Sequence, residues 1–228
     1  MNIDVSAKPF FLEMEDIDWV QDTLASMPIE EKIGQLFFLM SMSGGPGEFR
    51  SLIERIHPGG MMYRKTSASG LTKAYSALQD NARIPLFLAA NLEAGGNGLL
   101  DEGTFFGHPM LIAATDDPEH ARRLGVVCAR EAKSVGGNMA FAPVVDINFN
   151  FRNPVTNIRS YGDDPERVAK MSAAYVKGAM VEGLSVTIKH FPGDGADARD
   201  QHLLTTVNNL GYSDWMATYG RVYRDCID

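Results

Sequence analysis

Two segments of the sequence begin with the same tetrapeptide, Asp116-Asp117-Pro118-Glu119 and Asp163-Asp164-Pro165-Glu166. In each segment an Asp can cap a helix, Pro suits the first turn, and Glu favours the positive end of the helix dipole. Each predicted helix ends near glycine, at Gly136-Gly137 and at Gly183, and an apolar strand follows. A helix–glycine–strand unit that occurs twice favours a repeating TIM-type (β/α)8 barrel over an open sheet.

Five short apolar runs alternate with longer amphipathic segments, which is the pattern of an α/β protein. The runs are nearly continuous in apolar residues, as in parallel strands that are covered on both faces. The predicted strands span residues 35–40, 60–64, 85–92, 139–145 and 185–190. Ser26, Pro28 and Glu30 predict a helix start before the first strand, since Ser can cap free N–H groups. The chain is therefore expected to hold about five βα units.

Composition excludes several classes of protein. The 228 residues are 45% hydrophobic and 22% charged, which excludes disordered and fibrous chains. A formal net charge of −8 without a run of Lys or Arg argues against nucleic-acid and membrane partners. Cys128 and Cys226 form no disulfide framework and no metal-like spacing. Because residues 1–8 do not resemble a signal peptide and no long apolar stretch occurs, a cytoplasmic location is expected.

Polar residues concentrate in loops after the third, fourth and fifth predicted strands, at residues 93–107, 146–163 and 191–206. Loops at the C-terminal ends of parallel strands form the active site in β/α proteins. We therefore expect the functional residues in these three loops. No Gly-rich nucleotide-binding pattern follows a strand, so the sequence indicates no cofactor.

The loop after the fifth predicted strand carries the most informative residues. Lys189 and His190 stand at the end of the strand, a Gly-rich turn follows, and Asp200 and His202 close the segment. A carboxylate two residues from an imidazole can orient it and stabilise its cation, and such a His can act as a general acid and base. An isolated Asp-x-His pair is more often structural, and the combination of these groups in one loop favours catalysis.

The run Lys189-His190-Phe191-Pro192-Gly193-x-Gly195, followed by Asp200-x-His202, resembles the signature of glycoside hydrolase family 3. It is similar in particular to the single-domain β-N-acetylglucosaminidases of that family. Residues 29–36 resemble the N-terminal helix of the family, 141–147 its fourth strand, and 159–165 the segment after that strand. The resemblance extends from about residue 28 to the C-terminus.

The resemblance implies a (β/α)8 barrel, of which residues 26–228 form the N-terminal portion after an extension and first helix at 1–25. It also implies retaining hydrolysis of terminal β-linked N-acetylhexosamine through a covalent glycosyl-enzyme. His202 is then the acid/base and Asp200 tunes it. The nucleophile, an Asp in the family, is expected on a strand beyond Asp228, and the chain on its own is expected to be inactive and poorly folded.

The resemblance also suggests how a carbohydrate substrate is bound. Lys189 and His190 are expected to hold hydroxyls of the terminal sugar, and Arg159 matches a family position that contacts the same sugar. An ion pair of Arg159 with Asp163 or Asp164 at the surface is the simpler alternative, because most loop arginines are used that way.

The segment after the third strand departs from the family pattern in a way that bears on the substrate. After the third strand, the peptidoglycan-recycling members carry Asp-Gln-Glu-Gly-Gly-Arg-Val, whereas residues 91–98 here read Asn-Leu-Glu-Ala-Gly-Gly-Asn-Gly. Asn91 replaces a sugar-binding Asp and can still donate and accept hydrogen bonds. The Arg is absent, so a muropeptide is disfavoured while a hexosaminide is retained. Glu93 is expected to be structural, and Asp194, where relatives often have His, is expected to raise the pKa of nearby groups.

Several alternatives stay open. The chain could belong to a β-glycoside phosphorylase, because an uncharged His acting as base repels phosphate less than a carboxylate does. It could equally belong to a β-glucosidase of the same family, to a non-catalytic sugar-binding barrel, or to an unrelated β/α barrel. The natural substrate and the oligomeric state are not indicated by the sequence.

Overall fold

The computed structural model describes residues 3–8, 10–41 and 44–228. Met1, Asn2 and Pro9 of the predicted N-terminal extension lie outside the described residues. Five parallel strands form one sheet in the order β1-β2-β3-β4-β5. The strands are β1 Phe38–Ser41, β2 Gly60–Tyr63, β3 Phe87–Ala90, β4 Met139–Ala140 and β5 Ser185–Val186. Each strand pairs with its neighbour in sequence, as in a TIM-type barrel, and this confirms the predicted fold class.

The helices lie between the strands and around them. Before and between the first three strands they are α1 Met14–Ser26, α2 Ile29–Gly34, α3 Pro46–Ile56 and α4 Ala68–Asp80. The later helices are α5 Pro109–Ala113, α6 Pro118–Ser134, α7 Pro165–Val181, α8 Tyr212–Ala217 and α9 Tyr219–Ile227. No helix in the described ranges is long and apolar enough to cross a membrane.

All five predicted strands are present, and the observed strands are shorter. Regular pairing of β4 with β5 ends after two residues, and beyond it only one isolated bridge joins Val144 to Lys189. Pro143 lies between the end of β4 at Ala140 and the bridge at Val144. It has no N–H to donate, which interrupts the ladder of hydrogen bonds between the strands. The two segments nevertheless stay side by side, since Val145 N donates to the Lys189 carbonyl at 2.7 Å. Lys189 is thereby held at the C-terminal end of the parallel strands.

The two repeated tetrapeptides both begin helices as predicted. The Asp117 carboxylate accepts a hydrogen bond from Glu119 N at the start of α6, and Asp164 accepts one from Glu166 N at the start of α7, each at 2.9 Å. The predicted glycine ends are also confirmed. Gly136 follows α6 with φ of +91° and Gly183 follows α7 with φ of +77°, values that favour glycine.

Helices α6 and α7 pack directly against each other through glycine. A Cβ atom added to Gly125 of α6 would lie 2.3 Å from the Tyr175 carbonyl oxygen, and one added to Gly178 of α7 would lie 2.0 Å from the Arg122 carbonyl oxygen. Both distances are far below van der Waals contact. The two helix backbones therefore approach each other more closely than any side chain would permit.

The helix start predicted from Ser26, Pro28 and Glu30 is present, but the capping role given to Ser26 is wrong. Ser26 is the last residue of α1, and its hydroxyl donates to the Thr23 carbonyl in the same helix at 2.9 Å. Pro28 instead occupies the N-cap position of α2, which begins at Ile29. Because Ser26 already bonds within its own helix, it does not cap the next one. The local pattern of Ser, Pro and Glu thus located the start of α2 but not the residue at its N-cap.

The core lies between the sheet and the later helices. Its largest fully buried side chains include Tyr75, Tyr161, Tyr175 and Tyr219, with leucines from β3 and α4. The first edge of the sheet is different, because Leu36 and Met40 are 84% and 67% exposed. The apolar interior of the described residues is therefore well formed around β3, β4 and β5 and open beside β1.

Candidate active site

Two predicted substrate-binding residues contact one carboxylate, and a third contacts one of these two residues. Arg159 holds Glu93 with two hydrogen bonds, from Nε to Oε2 at 2.7 Å and from Nη2 to Oε1 at 2.8 Å. Lys189 Nζ lies 2.6 Å from Glu93 Oε1 and donates to Asn91 Oδ1 at 3.0 Å. These residues come from the loops after β3, β4 and β5. We refer to Asn91, Glu93, Arg159 and Lys189 as the Glu93 cluster.

Electrostatics keep Glu93 ionised. Burial by itself would raise the pKa of Glu93, but the hydrogen bonds from Arg159 and the charge of Lys189 outweigh it and lower the pKa to about 2. Burial lowers the pKa of Lys189, and the Glu93 carboxylate opposes that effect. Arg159 therefore pairs with a buried carboxylate and not with Asp163 or Asp164 at the surface. Glu93 acts as the anion that orients two cationic donors, in line with the expected structural role.

Asp146 holds His190 and the start of the following loop. It is fully buried, and its Oδ1 accepts hydrogen bonds from His190 N at 3.2 Å and Asp194 N at 2.7 Å. Its Oδ2 lies 2.5 Å from His190 Nδ1. A carboxylate is an acceptor, so Nδ1 carries the hydrogen and Nε2 remains as the other hydrogen-bonding atom of the ring. Asp146 was not predicted as a site residue, although a charged residue that follows a buried apolar run was a usable signal.

Asp200 and His202 form the predicted pair. His202 Nδ1 lies 2.7 Å from Asp200 Oδ1, and His202 N donates to the same oxygen at 2.9 Å. These two hydrogen bonds lower the pKa of Asp200, the backbone bond most. The His202 side chain is 72% exposed. Among the described residues, no hydrogen bond or ion pair joins this pair directly to the Glu93 cluster.

Asp194 lies in the loop of residues 191–206 after β5, which also carries Asp200 and His202, and it is largely buried. Its Oδ1 accepts hydrogen bonds from Asn153 Nδ2 at 3.0 Å and Gly195 N at 2.7 Å. Burial raises the pKa of Tyr219, and the charges of Asp146 and Asp194 act in the same direction. Burial is the largest cause of the raised pKa of Tyr219, and Asp194 only adds to it. Within the ranges 3–8, 10–41 and 44–228, no three His, Cys, Asp or Glu side chains are placed to share a metal ion.

Sequence comparison identifies related proteins over almost the entire chain. Residues 28–228 match the glycosyl hydrolase family 3 N-terminal domain. A protein of Cellulomonas fimi named β-N-acetylglucosaminidase/β-glucosidase is 45% identical over 225 residues, which cover 99% of this chain and 40% of that protein. β-Hexosaminidase A of Pseudoalteromonas piscicida is 32% identical over 175 residues, which cover 71% of this chain and 29% of that protein.

Structural comparison gives the same relationship. A solved β-glucoside phosphorylase with 2FGlc bound superposes with a TM-score of 0.92 and 45% identity, over 97% of this chain and 40% of that one. A family 3 β-N-acetylglucosaminidase from Paenibacillus superposes with a TM-score of 0.82 and 28% identity, over 88% of this chain and 40% of that one. The chain thus spans about 40% of the length of these relatives.

Proposed function

This chain belongs to glycoside hydrolase family 3, and we propose that it supplies the sugar-binding and acid/base residues of an enzyme that removes terminal β-linked N-acetylhexosamine. The family match rules out the unrelated β/α barrel. The proposed reaction is retaining hydrolysis in two steps. A family nucleophile, an Asp outside these 228 residues, would attack the anomeric carbon and form the covalent glycosyl-enzyme.

His202 is the proposed acid/base in both steps. In the first step its imidazolium gives a proton to the glycosidic oxygen while the bond from that oxygen to the anomeric carbon breaks. In the second step the neutral imidazole takes a proton from water as the water attacks the anomeric carbon and releases the nucleophile. The single observation that carries this proposal is the 2.7 Å contact between His202 Nδ1 and Asp200 Oδ1, because the carboxylate stabilises the imidazolium.

The Glu93 cluster and His190 are the proposed contacts of the terminal sugar. Glu93 binds Lys189 and Arg159 at once, and each cation keeps further N–H donors for hydroxyl groups. Asn91 accepts a hydrogen bond from Lys189 through Oδ1, so its Nδ2 donors remain for a sugar oxygen. These groups are fixed before the sugar arrives, which lowers the cost of binding.

The test is an assay of the full-length protein on matched aryl glycosides. We expect release of nitrophenol from the β-N-acetylglucosaminide with a higher kcat/KM than from the β-glucoside. A preference for the β-glucoside would favour a β-glucosidase. Binding of N-acetylglucosamine without release of nitrophenol from either glycoside would instead indicate a non-catalytic sugar-binding barrel.

Phosphorolysis is the second candidate, and the 45% identity to a solved β-glucoside phosphorylase is the observation that favours it. A neutral imidazole repels an incoming phosphate dianion less than a carboxylate base would. The discriminating measurement is product analysis with and without inorganic phosphate. A sugar 1-phosphate as the main product would identify a phosphorylase, and free sugar in the presence of phosphate would identify a hydrolase.

A further inference from the structure

Asn153, in the loop after β4, joins two parts of the site that lie on different loops. Its side chain is fully buried, and Oδ1 accepts hydrogen bonds from Val155 N at 2.9 Å and Thr156 N at 2.8 Å. Nδ2 donates to the Asp197 carbonyl at 2.8 Å and to Asp194 Oδ1 at 3.0 Å. The backbone N–H groups of Val155 and Thr156 can only donate, and the oxygens of Asp194 and Asp197 accept. The orientation of the Asn153 amide, with Oδ1 toward the first pair and Nδ2 toward the second, is therefore fixed by its partners.

The Oδ1 end of the Asn153 amide is connected through Val155 to the Glu93 cluster. Val155, whose N–H bonds to Asn153, accepts a hydrogen bond from Arg159 Nη1 through its carbonyl at 3.0 Å. Arg159 in turn binds Glu93, and Glu93 binds Lys189. A continuous run of short polar contacts therefore extends from Asn153 to the ammonium group of Lys189.

The Nδ2 end of the Asn153 amide is connected through Asp197 to the segment that carries Asp200 and His202. The Asp197 carbonyl accepts from Asn153, while the Asp197 carboxylate accepts from Val207 N at 2.8 Å. Arg199 also pairs with this carboxylate, with Nε at 2.9 Å from Oδ2. The Asp197 carboxylate thus links residues 197 and 207, and we call residues 197–207, which include Asp200 and His202, the acid/base loop. The hydrogen bond from Asn153 to the Asp197 carbonyl fixes the position of one end of this loop.

We propose that Asn153 is a positioning residue that fixes the acid/base loop relative to the Glu93 cluster. The inference rests on the proposed function of His202. Asn153 itself contacts no reacting atom. Its effect arises because proton transfer to the glycosidic oxygen requires His202 and the bound sugar to be placed together, and a misplacement of about 1 Å costs about 10²-fold in rate.

Asn153→Asp in the full-length protein tests the proposal. The change keeps the size and the acceptor for Val155 N, removes both N–H donors, and sets a carboxylate against Asp194. We expect kcat/KM on a glycoside with a poor leaving group to fall about tenfold or more beyond any fall on an activated aryl glycoside. Amide hydrogen exchange of residues 197–207 should also accelerate relative to helices α6 and α7.

Asn157→Asp is the matched control. Asn157 lies in the same loop and is exposed, and its amide reaches only the Phe151 carbonyl of that loop at 3.5 Å. The control adds the same charge without touching the acid/base loop. We expect it to leave both the ratio of the two kcat/KM values and the exchange of 197–207 unchanged.

The double variant Asn153→Asp with Asp194→Asn exchanges the two groups. It restores an N–H···O contact between positions 153 and 194 and removes the repulsion, so part of the selective loss should be recovered. Should the single variant not fold, Asp197→Asn replaces it, because its amide offers one oxygen acceptor where Val207 N and Arg199 use two carboxylate oxygens, which weakens the hold on the loop.

Equal losses on both substrates, with unchanged exchange of residues 197–207, would overturn the positioning role and leave Asn153 as a structural amide. A full-length protein that cleaves no β-glycoside would instead overturn the proposed function. In that case the hydrogen-exchange measurement alone decides whether Asn153 holds the loop.

Discussion

At the scale of single residues, His202 is held by one carboxylate and is otherwise open to solvent. We expect His202→Ala to slow the cleavage of poor leaving groups by about 10²–10⁴-fold and that of activated ones far less, because a good leaving group needs little protonation. Asp200→Asn should act in the same direction but more mildly, since the imidazole remains. The measurement is kcat/KM across a series of leaving groups, and equal losses along the series would contradict the acid/base role.

Lys189 should behave differently from His202. Because its ammonium group lies with Arg159 in the Glu93 cluster, we expect Lys189→Ala to lower kcat/KM on every substrate that shares the terminal sugar, whatever the leaving group. Steady-state kinetics with several aglycones on one sugar provide the measurement. A change confined to aglycone preference would place Lys189 elsewhere in the site.

The lowered pKa of Glu93 predicts that the free energy of unfolding depends on pH. Its pKa is about 2 in the folded protein and 4.5 ordinarily, so the unfolded chain binds the proton more tightly. The resulting stabilisation, about 3 kcal/mol, is present above pH 4.5 and is lost as the pH falls toward 2. We expect the difference in unfolding free energy between the wild type and Glu93→Gln to shrink over that interval. Denaturant unfolding at several pH values checks this, and a constant difference would count against it.

At the scale of elements, the contact between α6 and α7 gives an unusual expectation for alanine. Gly178→Ala would gain about 1 kcal/mol from helix propensity, but its Cβ would lie 2.0 Å from the Arg122 carbonyl oxygen, and overpacking costs about 1–3 kcal/mol. We therefore expect net destabilisation, measured as the free energy of unfolding of the full-length protein.

Gly47→Ala in α3 is the matched control for that variant. A Cβ atom at Gly47 would meet nothing within 4 Å in the described part of the chain. Helix propensity is therefore the main effect there, and the variant should be neutral or more stable. Stabilisation by Gly178→Ala would show that the two helices separate easily.

Local signals were sufficient for much of the architecture. The caps at Asp117 and Asp164 were predictable because Asp and Pro act on their own helix turn within two residues. Ser26 was misassigned since the same residue types occur at both ends of helices. The ends of β4 and β5 were also missed, because the interruption depends on how Pro143 aligns with the neighbouring strand.

The site was predictable only in part. Lys189, Arg159 and Asn91 were identified from a resemblance. Arg159 and Glu93 are 66 positions apart, Lys189 and Asn91 are 98 apart, and no local pattern encodes such contacts. Asn153 and Asp146 were missed for the same reason. Their importance lies in hydrogen bonds to distant backbone groups, which a sequence does not display.

At the scale of the whole molecule, the described sheet ends at β1 on one side and β5 on the other. Beside β1, Leu36 and Met40 are largely exposed. Edge strands and exposed apolar surface both favour association over a monomeric state. We therefore expect the 228-residue chain in isolation to lack cooperative melting and activity. Light scattering and calorimetry provide the measurement, and a monomer that melts cooperatively and cleaves a β-N-acetylglucosaminide would contradict the expectation.

The glycine contact between α6 and α7 has a mechanical consequence. At Gly125 and Gly178 backbone lies against backbone, so at these two points no side chain separates the helices and could change rotamer as one helix slides past the other. Shear motion, which depends on such small adjustments, is therefore blocked at this interface. We therefore expect α6 and α7 to move as one rigid unit. Any opening or closing around a bound sugar is then expected in the loops that follow the strands.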